Sequence, residues 1–218
     1  MTWENRVMSQ EMRFAASVIV GRDGAKGLEV LVLERSSASR FLPSYVVFPG
    51  GAVDPEDSAL ANRWFGHQDH AFRAGAVREL FEEAGIAITR SGVQATAAFS
   101  TIEDHPPTAE MLPEVAHWVA PEDVPVRFDA RYVAAAAPLG VEPTPDGTET
   151  AAAWWSTPAD LIAEWQSETR KLYWPTYLTL AALTECAGVQ DLMALRLDTR
   201  EPDDHELEFL HRSTFYDD

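Results

Sequence analysis

The segment AVRELFEEAG, residues 76–85, constrains this chain more than any other stretch. At about 100° per residue, Val77, Leu80, Phe81 and Ala84 gather on one side of a helix. Glu79, Glu82 and Glu83 gather on the other. The apolar side needs a layer to pack on. The acidic side carries two small penalties. Like charges at i,i+4, such as Glu79 and Glu83, cost about 0.2–0.5 kcal/mol, and all three sit near a helix C-terminus, where the dipole disfavours negative charge. A divalent cation such as Mg²⁺ or Mn²⁺ reverses both penalties, because clustered carboxylates suit hard cations. Arg78 reaches Glu82 at i+4 and holds a carboxylate in place. A plain solvated face is the competing reading of the same residues.

The rest of the chain supplies the layer. Residues 15–22 and 28–35 are β-rich and flank the turn DGAKG, which predicts a hairpin. A short strand over 45–51 stops at Pro49 and two glycines. Asp69 is placed to cap a helix over residues 71–84, with Gly85 as its stop. Strands are expected over 94–100, 131–137 and 151–155, and helices over 157–165 and 175–188, the first with Pro158 at its opening position. Strands mixed with helices give an α/β or α+β chain. Its 218 residues suit one domain with a sizeable core.

Charge excludes some functions. The net charge is −18, and residues 91–218 hold 7 Lys+Arg against 23 Asp+Glu. So acidic a surface argues against long nucleic acids. It leaves room for a small phosphorylated substrate met by local arginines or divalent cations. No apolar run reaches the ~18 residues of a membrane span, and the N-terminus lacks a signal pattern. The single cysteine, Cys186, fits a reducing cytoplasm and reads as a small apolar residue.

RELFEEAGI, residues 78–86, matches the second half of the Nudix box at every position, and FPGG, residues 48–51, stands upstream as its glycine turn. The chain resembles a Nudix hydrolase. The box usually reads Gly-x5-Glu-x7-Arg-Glu. Counting forward from Gly51 reaches Asp57, and counting back from Arg78 reaches His70, with a 13-residue insertion, about 58–70, between the halves. Either could replace the missing glutamate. Trp64 and Phe65 in the insertion either pack it onto the domain or line the cleft.

Residues 31–51, LVLERSSASRFLPSYVVFPGG, resemble the signature of the coenzyme A diphosphatase subgroup. Arg35, Ser36, Arg40 and FPGG fall in register, while Val32, Leu33 and Ser44 depart from it. The insertion and RFDARY, residues 127–132, resemble the animal peroxisomal branch and its bacterial relatives. The resemblance implies an α/β Nudix fold, a mixed β-sheet sandwiched between helices (α/β/α). It implies one domain over residues 1–218 with a helical and acidic extension over about 175–218. It implies metal-dependent hydrolysis of coenzyme A or acyl-CoA to 3′,5′-ADP and (acyl-)4′-phosphopantetheine. The alternatives are a Nudix pyrophosphatase acting on NADH, ADP-ribose or another nucleotide, and a non-catalytic nucleotide-binding module.

The implied site has Glu79, Glu82, Glu83 and Arg78 as catalytic residues, the three glutamates on Mg²⁺ or Mn²⁺, with Glu82 and Glu83 chiefly on the metal and Glu79 as ligand or general base. Glu149 is the candidate for a further ligand from a later loop; an exposed strand-edge glutamate is the competing reading. Arg35 and Arg40 suit phosphate, because guanidinium forks match its oxygens; a surface ion pair of Arg35 with Glu34 or another acidic neighbour is the alternative. Gly50 and Gly51 leave the diphosphate unobstructed. The partners implied are a small nucleotide and, as in many Nudix enzymes, a second copy as a homodimer. Arg127 and Arg131, flanking Asp129, are expected in a structural salt-bridge cluster, Trp154 and Trp155 in the sheet, and His67 and His70 away from any ligand role.

Overall fold

The computed structural model describes residues 12–119 and 127–199. Ten strands and six helices follow in chain order: β1 (Arg13–Gly24), β2 (Gly27–Arg35), β3 (Tyr45–Val47), β4 (Gly50–Ala52), α1 (Pro55–Phe65), α2 (Ala71–Ala84), β5 (Ile86–Thr89), β6 (Gly92–Ala95), α3 (Ser100–Asp104), β7 (Glu114–Val119), β8 (Phe128–Ala136), β9 (Thr150–Ser156), α4 (Pro158–Gln166), β10 (Lys171–Leu172), α5 (Trp174–Leu183) and α6 (Val189–Ala194).

The predicted hairpin is β1–β2, closed with Gly24 opposite Gly27. It lies inside a mixed sheet of order β10-β3-β2-β1-β8-β7, with β4 also pairing β1 and β9 also pairing β2. β1 and β8 run parallel from Arg13 opposite Phe128 to Gly21 opposite Ala136. β5 and β6 form a separate hairpin. Alternation along β1 sends Val18 and Val20 into a core with Trp64, Val77 and Leu80 of α1 and α2. It sends Ile19 to the opposite core, with Leu161, Leu180 and Leu192 of α4, α5 and α6. The sheet is therefore sandwiched between helices, as the resemblance implies. Among the described residues no helix is long and apolar enough to cross a membrane.

Several local expectations change. The helix over 71–84 and its left-handed stop at Gly85 (φ 62°) stand, but its N-cap is His70. Asp69 belongs to the short 3₁₀ turn before it, where His67 Nδ1 accepts from the Asp69 amide. The strand expected over 45–51 breaks into β3 and β4, because Pro49 cannot donate to a ladder. The strand expected over 94–100 ends at Ala95, and Ser100 already opens α3. The helix expected over 175–188 stops at Leu183 and resumes as α6.

The insertion is not a loop. Asp54 and Asp57 form a capping box around Pro55, and Gly66 closes α1 in a left-handed turn. Trp64 is buried against Phe65 and Phe99, at ring distances of 6.2 and 6.1 Å, so the insertion packs onto the domain. Cys186 is half-buried beside the second core, where burial raises its thiol. The acidic tail expected beyond residue 198 lies, apart from Thr199, outside the described residues.

Candidate active site

α2 and β4 meet where two glycines leave room for two carboxylates. Glu83 is only 5% exposed, and its Oε2 accepts from the Gly50 amide at 2.9 Å. A Cβ on Gly50 would collide with Ala16 O and Ser17 Oγ. One on Gly51 would lie 2.5 Å from Glu79 Oε1. Only glycine lets this turn lie flat against the helix carboxylates.

The expected grouping of three glutamates is divided. Arg78 Nη1 donates to Glu79 Oε1 at 2.8 Å and to Glu82 Oε2 at 3.0 Å. Glu82 stays 55% exposed. Glu83, read from its phase as part of an outer acidic side, turns inward to Gly50. Among the described residues no three carboxylate, imidazole or thiol groups form a ready metal cage. Arg78 draws two of the glutamates to itself, and Gly50 draws the third.

The electrostatics still suit a dication. Burial pushes the Glu83 carboxyl up to about 8, against the lowering effect of its Gly50 hydrogen bond, with Glu79 adding to the rise. Burial also raises Glu79, opposed by Arg78. Two carboxylates whose charged forms burial disfavours, with a third at Glu82, are a donor set for Mg²⁺ or Mn²⁺. Glu79 and Glu83 are the residues best placed to hold such an ion.

Asp57 is fully buried and takes the place beside Arg78. Its Oδ1 accepts from Arg78 Nε at 2.9 Å and its Oδ2 from Arg78 Nη2 at 3.0 Å. The Asp54 amide donates to the same carboxylate at 2.8 Å. These bonds raise the guanidinium further above its ordinary range. Ala52 O accepts from Arg78 Nη2 as well, at 3.1 Å. His70 stands elsewhere, with Nδ1 3.0 Å from Arg73 and its ring against Phe65. His67 lies exposed beside Asp69.

The second half of the site comes from the end of β2. Arg35 Nε donates to Phe41 O at 3.0 Å. Glu34 pairs with Arg170 instead, so the Arg35–Glu34 alternative does not form. The Ser36 amide donates to Glu149 O at 2.7 Å, which brings the loop of Glu149 beside Arg35. Glu83 feels both groups: Arg35 lowers its carboxyl and Glu149 raises it. Asp146 holds that loop, accepting from the Glu149 and Thr150 amides at 3.0 and 2.8 Å. Its role was missed in the sequence, although Asp146-Gly147 is a turn signal. Arg40 is exposed and makes no ion pair among the described residues.

The expected Arg127–Asp129–Arg131 cluster is rearranged. Asp129 pairs with His117 at 2.6 Å and Arg131 with Glu114 at 3.2 Å, both across β7–β8. Trp154 and Trp155 lie in the sheet as expected, under Arg170 and Arg22 at 4.9 and 4.3 Å.

Comparison with known proteins gives the family of the fold. The family model of the NUDIX domain matches residues 12–174. The Nudix hydrolase of Alicyclobacillus acidocaldarius superposes with a TM-score of 0.77 at 31% identity, covering 88% of this chain and 100% of its own. A Caenorhabditis elegans relative bearing a nudix hydrolase name is 39% identical over 90 residues, 41% of this chain and 27% of that protein. The acyl-coenzyme A diphosphatase NUDT19 of Gallus gallus is 25% identical over 240 residues, 75% of this chain and 63% of that protein. The chain thus spans less than two thirds of the length of the curated relatives it matches. With its family model covering most of the described fold, and the box helix set against the glycine turn, the chain belongs to the Nudix hydrolase family.

Proposed function

We propose that this chain hydrolyses the diphosphate of coenzyme A or an acyl-CoA, releasing 3′,5′-ADP and (acyl-)4′-phosphopantetheine. The observation that carries the reading is the buried Glu83 carboxylate held on the Gly50 amide of the glycine turn, with Arg35, at the end of β2, lowering its carboxyl through space. A cationic strand end beside carboxylates whose charged forms burial disfavours suits a diphosphate. The matching register of residues 31–51 and the likeness to an acyl-coenzyme A diphosphatase support the choice of substrate.

In the reaction a water oxygen bonds to phosphorus, the bridging P–O bond breaks, and the water gives up a proton. Glu79 and Glu83 would hold Mg²⁺ or Mn²⁺, with Glu82 and Glu149 as further candidate ligands. The bound cation supplies Lewis-acid charge neutralisation at the diphosphate. Arg78 fixes Glu79 for its part as ligand or proton acceptor, and Asp57 fixes Arg78. Arg35 takes oxygens of the diphosphate, and Arg40 those of the substrate's other phosphate. Gly50 and Gly51 let the diphosphate approach the backbone.

The test is a substrate panel of coenzyme A, acetyl-CoA, NADH and ADP-ribose, each with Mg²⁺ and with Mn²⁺, with products separated by chromatography. Coenzyme A or its thioester should show the highest kcat/KM. If coenzyme A is the slowest member, the assignment is wrong.

A further inference from the structure

The loop between β2 and β3, residues 36–44, carries an aromatic ring, Phe41, that the reaction above does not use. Phe41 is 37% exposed, yet its ring is backed on two sides. Phe128 stands 5.5 Å away and tilted, and Tyr173 stands 6.3 Å away edge-on. Part of the ring is therefore fixed by packing while the rest faces solvent.

The loop is also held in an unusual shape. Leu42 and Ser44 are left-handed, at φ 51° and 61°, which non-glycine residues adopt at a cost. Turn hydrogen bonds brace it: Ser39 amide to Ser36 O at 3.0 Å, and Tyr45 amide to Leu42 O at 3.3 Å. Phe41 O accepts from Arg35, which ties the loop to the arginine at the end of β2. In a chain of net charge −18, the loop SSASRFLPS contains no acid and one arginine. That arginine, Arg40, is next to Phe41 and exposed.

A fixed aromatic ring, next in the chain to an exposed arginine that makes no ion pair among the described residues, matches one end of a nucleotide bearing an extra phosphate. Every base has a face to stack, and a guanidinium suits the phosphate. We propose that Phe41 stacks the adenine of the substrate while Arg40 meets its ribose 3′-phosphate, so that this loop sets the preference for a 3′-phosphorylated adenosine diphosphate. The proposal rests on the diphosphatase reading for its substrate, and its test is separable from that reading.

The experiment is calorimetric titration of the full chain, with Mg²⁺, by 3′,5′-ADP, 5′-ADP and 4′-phosphopantetheine. Phe41→Leu keeps apolar packing but removes the ring; it should weaken 3′,5′-ADP and 5′-ADP by about tenfold or more, the range of base–aromatic stacking. Phe41→Trp should restore both. Arg40→Ala should weaken 3′,5′-ADP and leave 5′-ADP unchanged. Phosphopantetheine should bind every variant alike. In turnover, Phe41→Leu should raise KM for coenzyme A with kcat held. The proposal is overturned if Phe41→Leu shifts 3′,5′-ADP by less than twofold, if the loss falls on phosphopantetheine, which would make Phe41 a contact of the tail, or if the parent protein does not bind 3′,5′-ADP. A parent that binds 3′,5′-ADP through Phe41 and Arg40 but leaves coenzyme A intact would retain this site and remove the proposed reaction.

Discussion

The Gly50 amide and the Glu83 carboxylate, 2.9 Å apart, join the glycine turn to the box helix through a side chain that is almost wholly buried. One hydrogen bond only partly offsets the loss of water around that charge. Glu83→Gln should keep the shape and remove the charge. Its kcat/KM should fall by about 10²–10⁴, the scale of a lost metal ligand. The rise in Tm given to the parent by Mn²⁺ should shrink with it. Activity within a few-fold of the parent would remove Glu83 from the metal site. Glu82→Gln should cost less, because Glu82 is half-exposed and already bound to Arg78.

The raised Glu83 carboxyl sets a pH dependence. Folded, it holds its proton up to about 8; unfolded, it releases it near the ordinary carboxylate value. Between those values the folded state binds more protons, so stability falls as pH rises. Without divalent metal, urea denaturation of the parent should show this decline from about pH 5 to pH 8, on the order of a few kcal/mol at most. Glu83→Gln should flatten it. An equal slope in both proteins would assign the effect to another group.

Asp57 and Arg78 form a buried pair with two hydrogen bonds. Asp57→Asn removes the most buried of the carboxylates on the guanidinium, with Glu79 and Glu82 left to it, which should cost about 1–3 kcal/mol. Arg78 would then hold Glu79 less firmly, so kcat should fall more than KM rises. Thermal melts and steady-state kinetics on one preparation check both. An unchanged kcat in the folded variant would confine Asp57 to stability.

Gly75 provides the seat for that acid. A Cβ there would lie 2.9 Å from Asp57 Oδ2. Gly75→Ala gains up to about 1 kcal/mol of helix propensity. It also overpacks a site that cannot yield without loosening Arg78, at about 1–3 kcal/mol. The net effect should be a lower Tm together with lower activity. A higher Tm would show that Asp57 has room to move.

Much of this was legible in the sequence, for local reasons. α2 carries its stop in Gly85, α4 its cap in Thr157, and the β1–β2 hairpin its turn in DGAKG. α1 was obscured because the spacing of the box marks those residues as surplus, although Asp54-Pro55 and Gly66 are ordinary helix start and stop signals. β7 was missed because its half-buried alternation, EVAHWV, gives a weak pattern. The inward turn of Glu83 is a different matter. Helix phase assigns it to the acidic side, and only the Gly50 amide, from a strand thirty-three positions earlier, reverses that. Asp57 was one of two candidates until α1 brought it to Arg78.

The parallel pairing of β1 with β8 has a kinetic consequence. It joins Arg13 to Phe128, across most of the intervening chain, at the end of the sheet where β4 also docks. Closing so long a loop consumes entropy before any contact repays it. The β1–β2 hairpin and the pairing of β4 with β1 can form early, but β8 reaches β1 only by closing the long loop between them. Refolding should be slow for a chain of this size. Enzymatic activity should return no sooner than the last phase of burial.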